Sequence, residues 1–177
     1  MTVTIVSGTP GSGKTNLCSY LAERDSRGVH IESDHFFRFL SHGLDPSTTE
    51  SKTQNEIIVR SYAAATKVYS DGGYSVYLDG VIGPWLFPLL MPILGKFEYV
   101  LLHASLHITL ARIKNRSGQD SATPGVAMRM HKQFSNVVNK YSRHVIDTGT
   151  LSIDAVAMEI EARRVNGGLV NSVPAVH

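Results

Sequence analysis

The sequence predicts an α/β domain of three layers, a five-stranded parallel sheet covered by helices on both faces. Two observations carry this. Five apolar runs of strand length alternate with helical patterns along the chain, and alternation of that kind builds parallel sheets through right-handed crossovers. The 177 residues are also 42% hydrophobic and 18% charged, which suffices for one buried core without staples. Mean hydropathy is −0.04. A single cysteine excludes an internal disulfide and a Cys-rich zinc site. A net charge of +2 argues against a nucleic-acid-coating protein. The N-terminal apolar run is short and has no basic start, unlike a signal peptide. The longest uncharged stretch, residues 81–95, is too short to span a bilayer and carries Pro84, Pro88 and Pro92, so a buried or pocket-lining segment is expected. A cytoplasmic protein with no membrane or nucleic-acid partner follows, as a monomer or homodimer.

The elements read in order. Residues 2–7 form a buried strand and residues 15–24 an amphipathic helix with Leu17, Tyr20 and Leu21 on one face. Residues 28–33 form a second strand, running into a short helix around HFFRFL. A polar loop at 43–51 leads to a long helix at 52–70, closed by Asp71-Gly72-Gly73. The third and fourth strands are 74–79 and 98–103, and a helix follows at 106–116. Residues 117–124 are turn-rich. A helix at 125–140, a short strand at 143–148 and a last helix at 151–164 complete the pattern, with Ser152 or Asp154 at that helix's start. One domain over residues 1–165 is expected, then a loose tail at 166–177.

Gly8-Thr9-Pro10-Gly11-Ser12-Gly13-Lys14-Thr15 matches G-x-x-x-x-G-K-[ST] in full, between an apolar strand and an amphipathic helix. The glycines permit backbone conformations that aim successive N–H groups at a polyphosphate. The following helix directs its positive end at the same anion. Lys14 adds a charge near the β- and γ-phosphates, and the Thr15 hydroxyl is placed to ligate Mg²⁺. A dinucleotide-binding turn is the competing reading, but Asn16 stands where its third glycine would be; Asn16 joins the nucleotide-contacting set. A GTPase would carry N-K-x-D, whereas Asn139-Lys140-Tyr141-Ser142 lacks the aspartate. The compact kinase type of P-loop NTPase fold remains.

Asp34 directly follows the second strand, at the sheet end that opens onto the ligand crevice. There it can accept a proton from a substrate hydroxyl or cap the short helix. Asp79 ends the third strand, where a carboxylate supports Mg²⁺ or caps the segment at Gly83-Pro84; either aspartate can be the base. Residues 101–150 hold seven Lys or Arg against two acids. Arg112 and Arg116 lie one helical turn apart before the SGQDSATP loop, read as a lid at about 117–124, with Arg116 and Arg129 closing on the phosphates.

On GTPGSGKT, SDHF after the second strand, LDG after the third, LARIKNR running into the lid and VIDTGTLSIDAVAMEI near the end, the chain resembles the small P-loop kinases: gluconate kinase, shikimate kinase and chloramphenicol 3-O-phosphotransferase. The resemblance implies strand order 2-3-1-4-5. It gives the phosphate loop to Gly8–Thr15, the acceptor-hydroxyl base to Asp34 and the lid arginine to Arg116 or, less securely, Arg112. It places an adenine slot between that arginine and residues 147–150, Thr148 among them. No Gly-Gly-Gly follows the third strand, which argues against shikimate as acceptor.

Acceptor contacts are expected between strands two and four, from Asp34, His35, Arg38, Phe39, Asn55, Arg60, Val81, Trp85 and Phe87. The aromatic residues suggest a ring-bearing acceptor, Arg38 and Arg60 an anionic one. The expected activity is ATP- and Mg²⁺-dependent transfer of the γ-phosphate to the hydroxyl of a small molecule such as a sugar acid or antibiotic, with Lys14, Asp34 and Arg116 catalytic. A nucleoside or nucleotide kinase and a non-catalytic ATP-binding regulator are the alternatives.

Overall fold

The computed structural model describes residues 2–115 and 123–170. Five strands, β1 (Val3–Gly8), β2 (Gly28–Glu32), β3 (Ser75–Gly80), β4 (Glu98–His103) and β5 (Val145–Asp147), form one sheet of order β2-β3-β1-β4-β5. Every pairing is parallel. The central position of β1 explains its composition, because a strand flanked on both edges and covered on both faces is apolar throughout, and all six of its residues are buried.

Strand alternation sorts the core into two layers. On one face Val6, Tyr77, Val100, Leu102 and Ile146 meet α1 (Lys14–Arg24) through Leu17, Cys18 and Leu21, and α7 (Ile153–Val165) through Val156 and Ile160. On the other, Ile5, Ile31, Val76, Leu78 and Tyr99 pack on α3 (Lys52–Asp71) and α4 (Phe87–Leu94). Phe134 of α6 (Pro124–Lys140) joins this second layer. The remaining helices are α2 (Ser33–Arg38) and α5 (Leu106–Lys114).

The apolar 81–95 stretch becomes a 3₁₀ turn at Pro84–Leu86 followed by α4, a helix the sequence reading did not assign. Pro88 is tolerated in the first turn, where no backbone N–H is required, and Pro92 sits inside the helix. Phe87, Leu90 and Leu94 bury its inner face. Of the two expected caps for α7, Ser152 is the one that acts: its hydroxyl accepts from Ala155 N at 3.2 Å. Asp154 lies in the first turn and bonds Tyr20 OH.

Two expected boundaries move. Thr123 and Pro124, assigned to the lid, begin α6, with the Thr123 hydroxyl accepting from Val126 N at 3.4 Å. The start of the expected tail packs on the sheet: Tyr99 N donates to Leu169 O at 2.9 Å, Glu98 and Val170 form an antiparallel bridge, and Leu169 is fully buried. Residues 171–177 and most of the lid, 117–122, lie outside the described residues. Beneath the sheet, buried Glu98 takes both Arg164 Nε (2.9 and 3.0 Å) and Thr4 Oγ1 (2.9 Å), so its charge is paired and hydrogen-bonded. No helix among the described residues is long and apolar enough to cross a membrane.

Candidate functional site

The loop after β1 leaves the sheet where the chain order reverses, between β3 and β4, at the strands' C-terminal ends. Ser12 N donates to Thr9 O at 3.1 Å and Leu17 N to Gly13 O at 3.0 Å, closing the loop and opening α1. Gly11 and Gly13 have φ of 82° and 98°, the left-handed region that side chains rarely enter. A Cβ on Gly11 would stand 2.9 Å from Thr109 O. The N-terminus of α1 has no side-chain cap and no acid in its first turn, which leaves its donors and positive end for an outside anion. Ser12 Oγ is buried with no partner among the described residues. Lys14 Nζ lies across the loop, donating to Thr9 O at 3.2 Å. An uncapped helix end, a left-handed loop, an orphaned hydroxyl and a lysine together fit a polyphosphate.

A cavity of about 420 Å³ opens beside this loop. Gly11, Ser12, Gly13 and Asn16 form one side, and Arg112, Asn115, Thr148 and Leu151 the other. Its frame is a bonded pair: Arg112 Nη2 donates to Thr148 O at 2.6 Å, while Nη1 reaches Thr148 Oγ1 at 3.3 Å and Gly11 O at 3.4 Å. Thr148 Oγ1 in turn lies 3.0 Å from Ser12 O. Of the residues expected to contact a nucleotide, Gly11, Ser12, Gly13, Asn16, Arg112 and Thr148 line this one cavity. Arg116 lies outside the described residues.

The two aspartates part company. Asp34 is exposed and sits inside the first turn of α2, whose N-cap position carries no side-chain bond, so Asp34 does not cap it. Burial, together with the Asp34 charge nearby, pushes the Tyr62 phenol well above its ordinary pKa. Asp79 is buried on the α1 side of the sheet and caps nothing: the 3₁₀ turn at Pro84–Leu86 has no side-chain cap. His30 Nε2 lies 3.0 Å from Asp79 Oδ2. Burial, and then the Asp79 charge, raises the Cys18 thiol pKa well above its usual value; Lys14 opposes and Glu32 adds to this. Those four perturbing and perturbed groups thus gather under the phosphate loop. Cys18, His30 and Asp79 hold one donor atom each within 4.8 Å of one another, a set able to ligate a metal ion.

Glu32, which the sequence reading passed over, ends β2 directly in register with Asp79. Its side chain is about one-third exposed, and its Oε2 lies 3.7 Å from His35 Nε2. Paired Cα positions in a parallel ladder share a face, so Glu32 and Asp79 both turn toward α1.

A second cavity, of about 620 Å³, is lined by segments that follow β2 and β3, the strands on the other side of β1, and by α6. Asp34, Asn55, Val81 and Trp85 line it, as expected. Arg38 and Arg60 do not; both are exposed and stand outside its wall. Phe39 is 74% exposed, and Phe87 belongs to the core. Tyr62 of α3 and Arg129, Met130 and Gln133 of α6 contribute instead. Arg129, expected from the excess of basic residues to close on the phosphates, lines this cavity and not the one beside the phosphate loop.

Residues 5–133 match a family profile described as AAA domain, AAA_18. The sequence matches no curated protein. Among solved structures the fold is similar to a sugar kinase from Janibacter sp. HTCC2649, with TM-score 0.67, 14% identity, and 92% of this chain and 93% of that one covered. It is similar to the Deinococcus radiodurans tunicamycin resistance protein, with TM-score 0.65, 21% identity and coverage of 98% and 99%. It is also similar to Acinetobacter baumannii shikimate kinase in complex with shikimate, with TM-score 0.62, 18% identity and coverage of 94% on both sides. With a full phosphate-loop motif inside the matched segment, the chain belongs to the AAA_18 family and has the fold of the small P-loop kinases.

Proposed function

We propose that this protein is an ATP- and Mg²⁺-dependent kinase that phosphorylates a hydroxyl of a small molecule. One observation carries the reading: one cavity adjoins the phosphate loop and another is lined by segments on the other side of β1. The first is built from residues after β1, β4 and β5, the second from residues after β2 and β3 together with α6. A nucleotide in the first and an acceptor in the second would meet at the loop, the in-line arrangement phosphoryl transfer requires.

In this reading the loop N–H groups and Lys14 hold the phosphates, and Arg112 with Thr148 walls the base side. Thr15 and the carboxylates Glu32 and Asp79 offer the hard oxygen donors that suit Mg²⁺. When bound, Mg²⁺ would neutralise charge on the phosphate oxygens. Asp34 takes the proton as the acceptor oxygen bonds to the γ-phosphorus and the bond to ADP breaks. The role expected of Arg116 belongs to the same proposal.

An ADP-release screen across sugars, sugar acids, ring alcohols and nucleosides tests this. Turnover with at least one acceptor is expected. In Asp34→Asn it should fall by roughly 10²-fold or more with ATP affinity unchanged within a few-fold, as for loss of a general base. ATP binding without transfer to any acceptor would favour the regulatory alternative.

A further inference from the structure

We infer that the acceptor is a bulky, largely apolar and uncharged alcohol with a ring or branched frame, not a sugar or sugar acid. This rests on the kinase reading above and specifies its second substrate.

The walls of the 620 Å³ cavity carry the inference. Phe37, Val59, Tyr62, Ile82, Leu86 and Met130 supply apolar surface from four separate elements. Trp85 adds a fixed aromatic plane. Its indole lies over the backbone of Gly83, where a Cβ would come within 2.1 Å of the ring, and its edge meets Phe134 at a centroid distance of 5.3 Å. Held on both sides, it still leaves 43% of its surface exposed, an unusual state for the chain's single tryptophan and one that a flat apolar ligand would relieve.

Ser33, Asp34, Ser47, Asn55, Arg129 and Gln133 add polar groups at intervals, but most of the wall's exposed surface is apolar. Asp34 is placed for one hydroxyl. Asn55 is held by its amide nitrogen, which donates to Pro46 O at 2.8 Å and Ser51 Oγ at 3.0 Å, while its Oδ1 stays buried with no donor among the described residues. A polyol with a hydroxyl on every carbon would set some of them against this apolar surface, and each buried unpaired hydroxyl costs about tenfold or more in affinity. Charge points the same way. The wall holds one carboxylate, Asp34, and one guanidinium, Arg129, whose charge also reaches Asp45. The two arginines that would recruit an anion, Arg38 and Arg60, lie outside it.

Trp85 is its own probe, since no other tryptophan contributes to the emission. Wild-type protein saturated with Mg²⁺ and a non-hydrolysable ATP analogue is titrated with 3-phenyl-1-propanol, 4-cyclohexyl-1-butanol, 3-phenyllactate, glucose and gluconate, and Trp85 emission is recorded. ADP release from ATP is measured with the same five compounds. The two neutral ring alcohols should shift the emission at concentrations at least tenfold below glucose or gluconate, with 3-phenyllactate weaker than 3-phenyl-1-propanol. Met130→Gln, of equal length, should weaken the ring alcohols several-fold. Tighter binding of glucose or gluconate, or no response to either ring alcohol, overturns the inference and leaves the kinase reading standing. Emission shifts with the expected preference but no ADP release from any compound would sustain the apolar pocket and count against the kinase.

Discussion

Arg112 Nη2 lies 2.6 Å from the main-chain oxygen of Thr148, and the same guanidinium reaches Gly11 O at 3.4 Å. One side chain from α5 thereby ties the phosphate loop to the loop after the last strand, 36 residues further along the chain. A rigid fork with fixed donors holds both at once. Arg112→Ala should weaken binding of a non-hydrolysable ATP analogue by roughly 10- to 100-fold, the equivalent of charge-assisted bonds worth about 1.5–3 kcal/mol. Arg112→Lys should recover little of it, because a point charge cannot span two loops. Calorimetric titration of the three proteins checks this.

Gly11 is a loop position that resists a side chain. Its φ of 82° is left-handed, and a Cβ would press on Thr109 O, a backbone atom that cannot swing aside. Gly11→Ala is expected to cost about 1–3 kcal/mol, seen as a melting temperature lowered by several degrees, and to impair nucleotide binding beyond that loss. Scanning calorimetry with and without the ATP analogue separates the two effects.

The carboxylates at the ends of β2 and β3 should differ in their importance for the metal. His30 already occupies one oxygen of Asp79, whereas Glu32 is more open to the cleft. Glu32→Gln is expected to raise the Mg²⁺ concentration for half-maximal ADP release by about tenfold or more, and Asp79→Asn by less. An Mg²⁺ titration at saturating ATP decides; the reverse order would return the metal role to Asp79.

His144 gives stability a pH dependence of known sign. Its Nδ1 lies 3.0 Å from Tyr99 O, and its Nε2 accepts from Arg143 Nε at 2.9 Å, so the ring is held neutral. Burial lowers its pKa, and the Arg143 and Arg163 charges act with it against the bond to Tyr99 O. Burial and the neighbouring His131 lower His103 in the same direction. The unfolded chain takes the proton near pH ~6.5, before the folded one does. Stability is therefore full above that pH and declines as pH falls below it toward the folded pKa. The urea midpoint should drop between pH 7 and pH 5, above the range where Asp25 and Asp45, both held low by backbone hydrogen bonds, titrate. His144→Gln should flatten part of that slope.

The features legible in the sequence are those written locally in it. The phosphate loop is eight consecutive residues whose types answer one task, and β4 runs from Glu98 to His103 as its apolar run implied. The α4 helix was hidden because its three flanking and internal prolines read as breaks, whereas two of them sit where a helix start tolerates them. Arg38 and Arg60 were expected at the acceptor by proximity in sequence, but their positions on α2 and α3 turn outward. Arg129 reaches the cavity only because α6 docks beside α5. The His30–Asp79 bond needs the β2–β3 register, which no single run of residues encodes.

The measurement that bears most directly on the phosphate cradle is ATP-analogue binding by Lys14→Ala beside wild type, with Mg²⁺ present and melting temperature as the control for folding. Wild type is expected to bind one nucleotide per chain, and Lys14→Ala to lose at least ~100-fold in affinity, about 2.7 kcal/mol, while melting within a degree or two of wild type. Undiminished binding by the variant would contradict the assignment of the Gly8–Thr15 loop as the phosphate site.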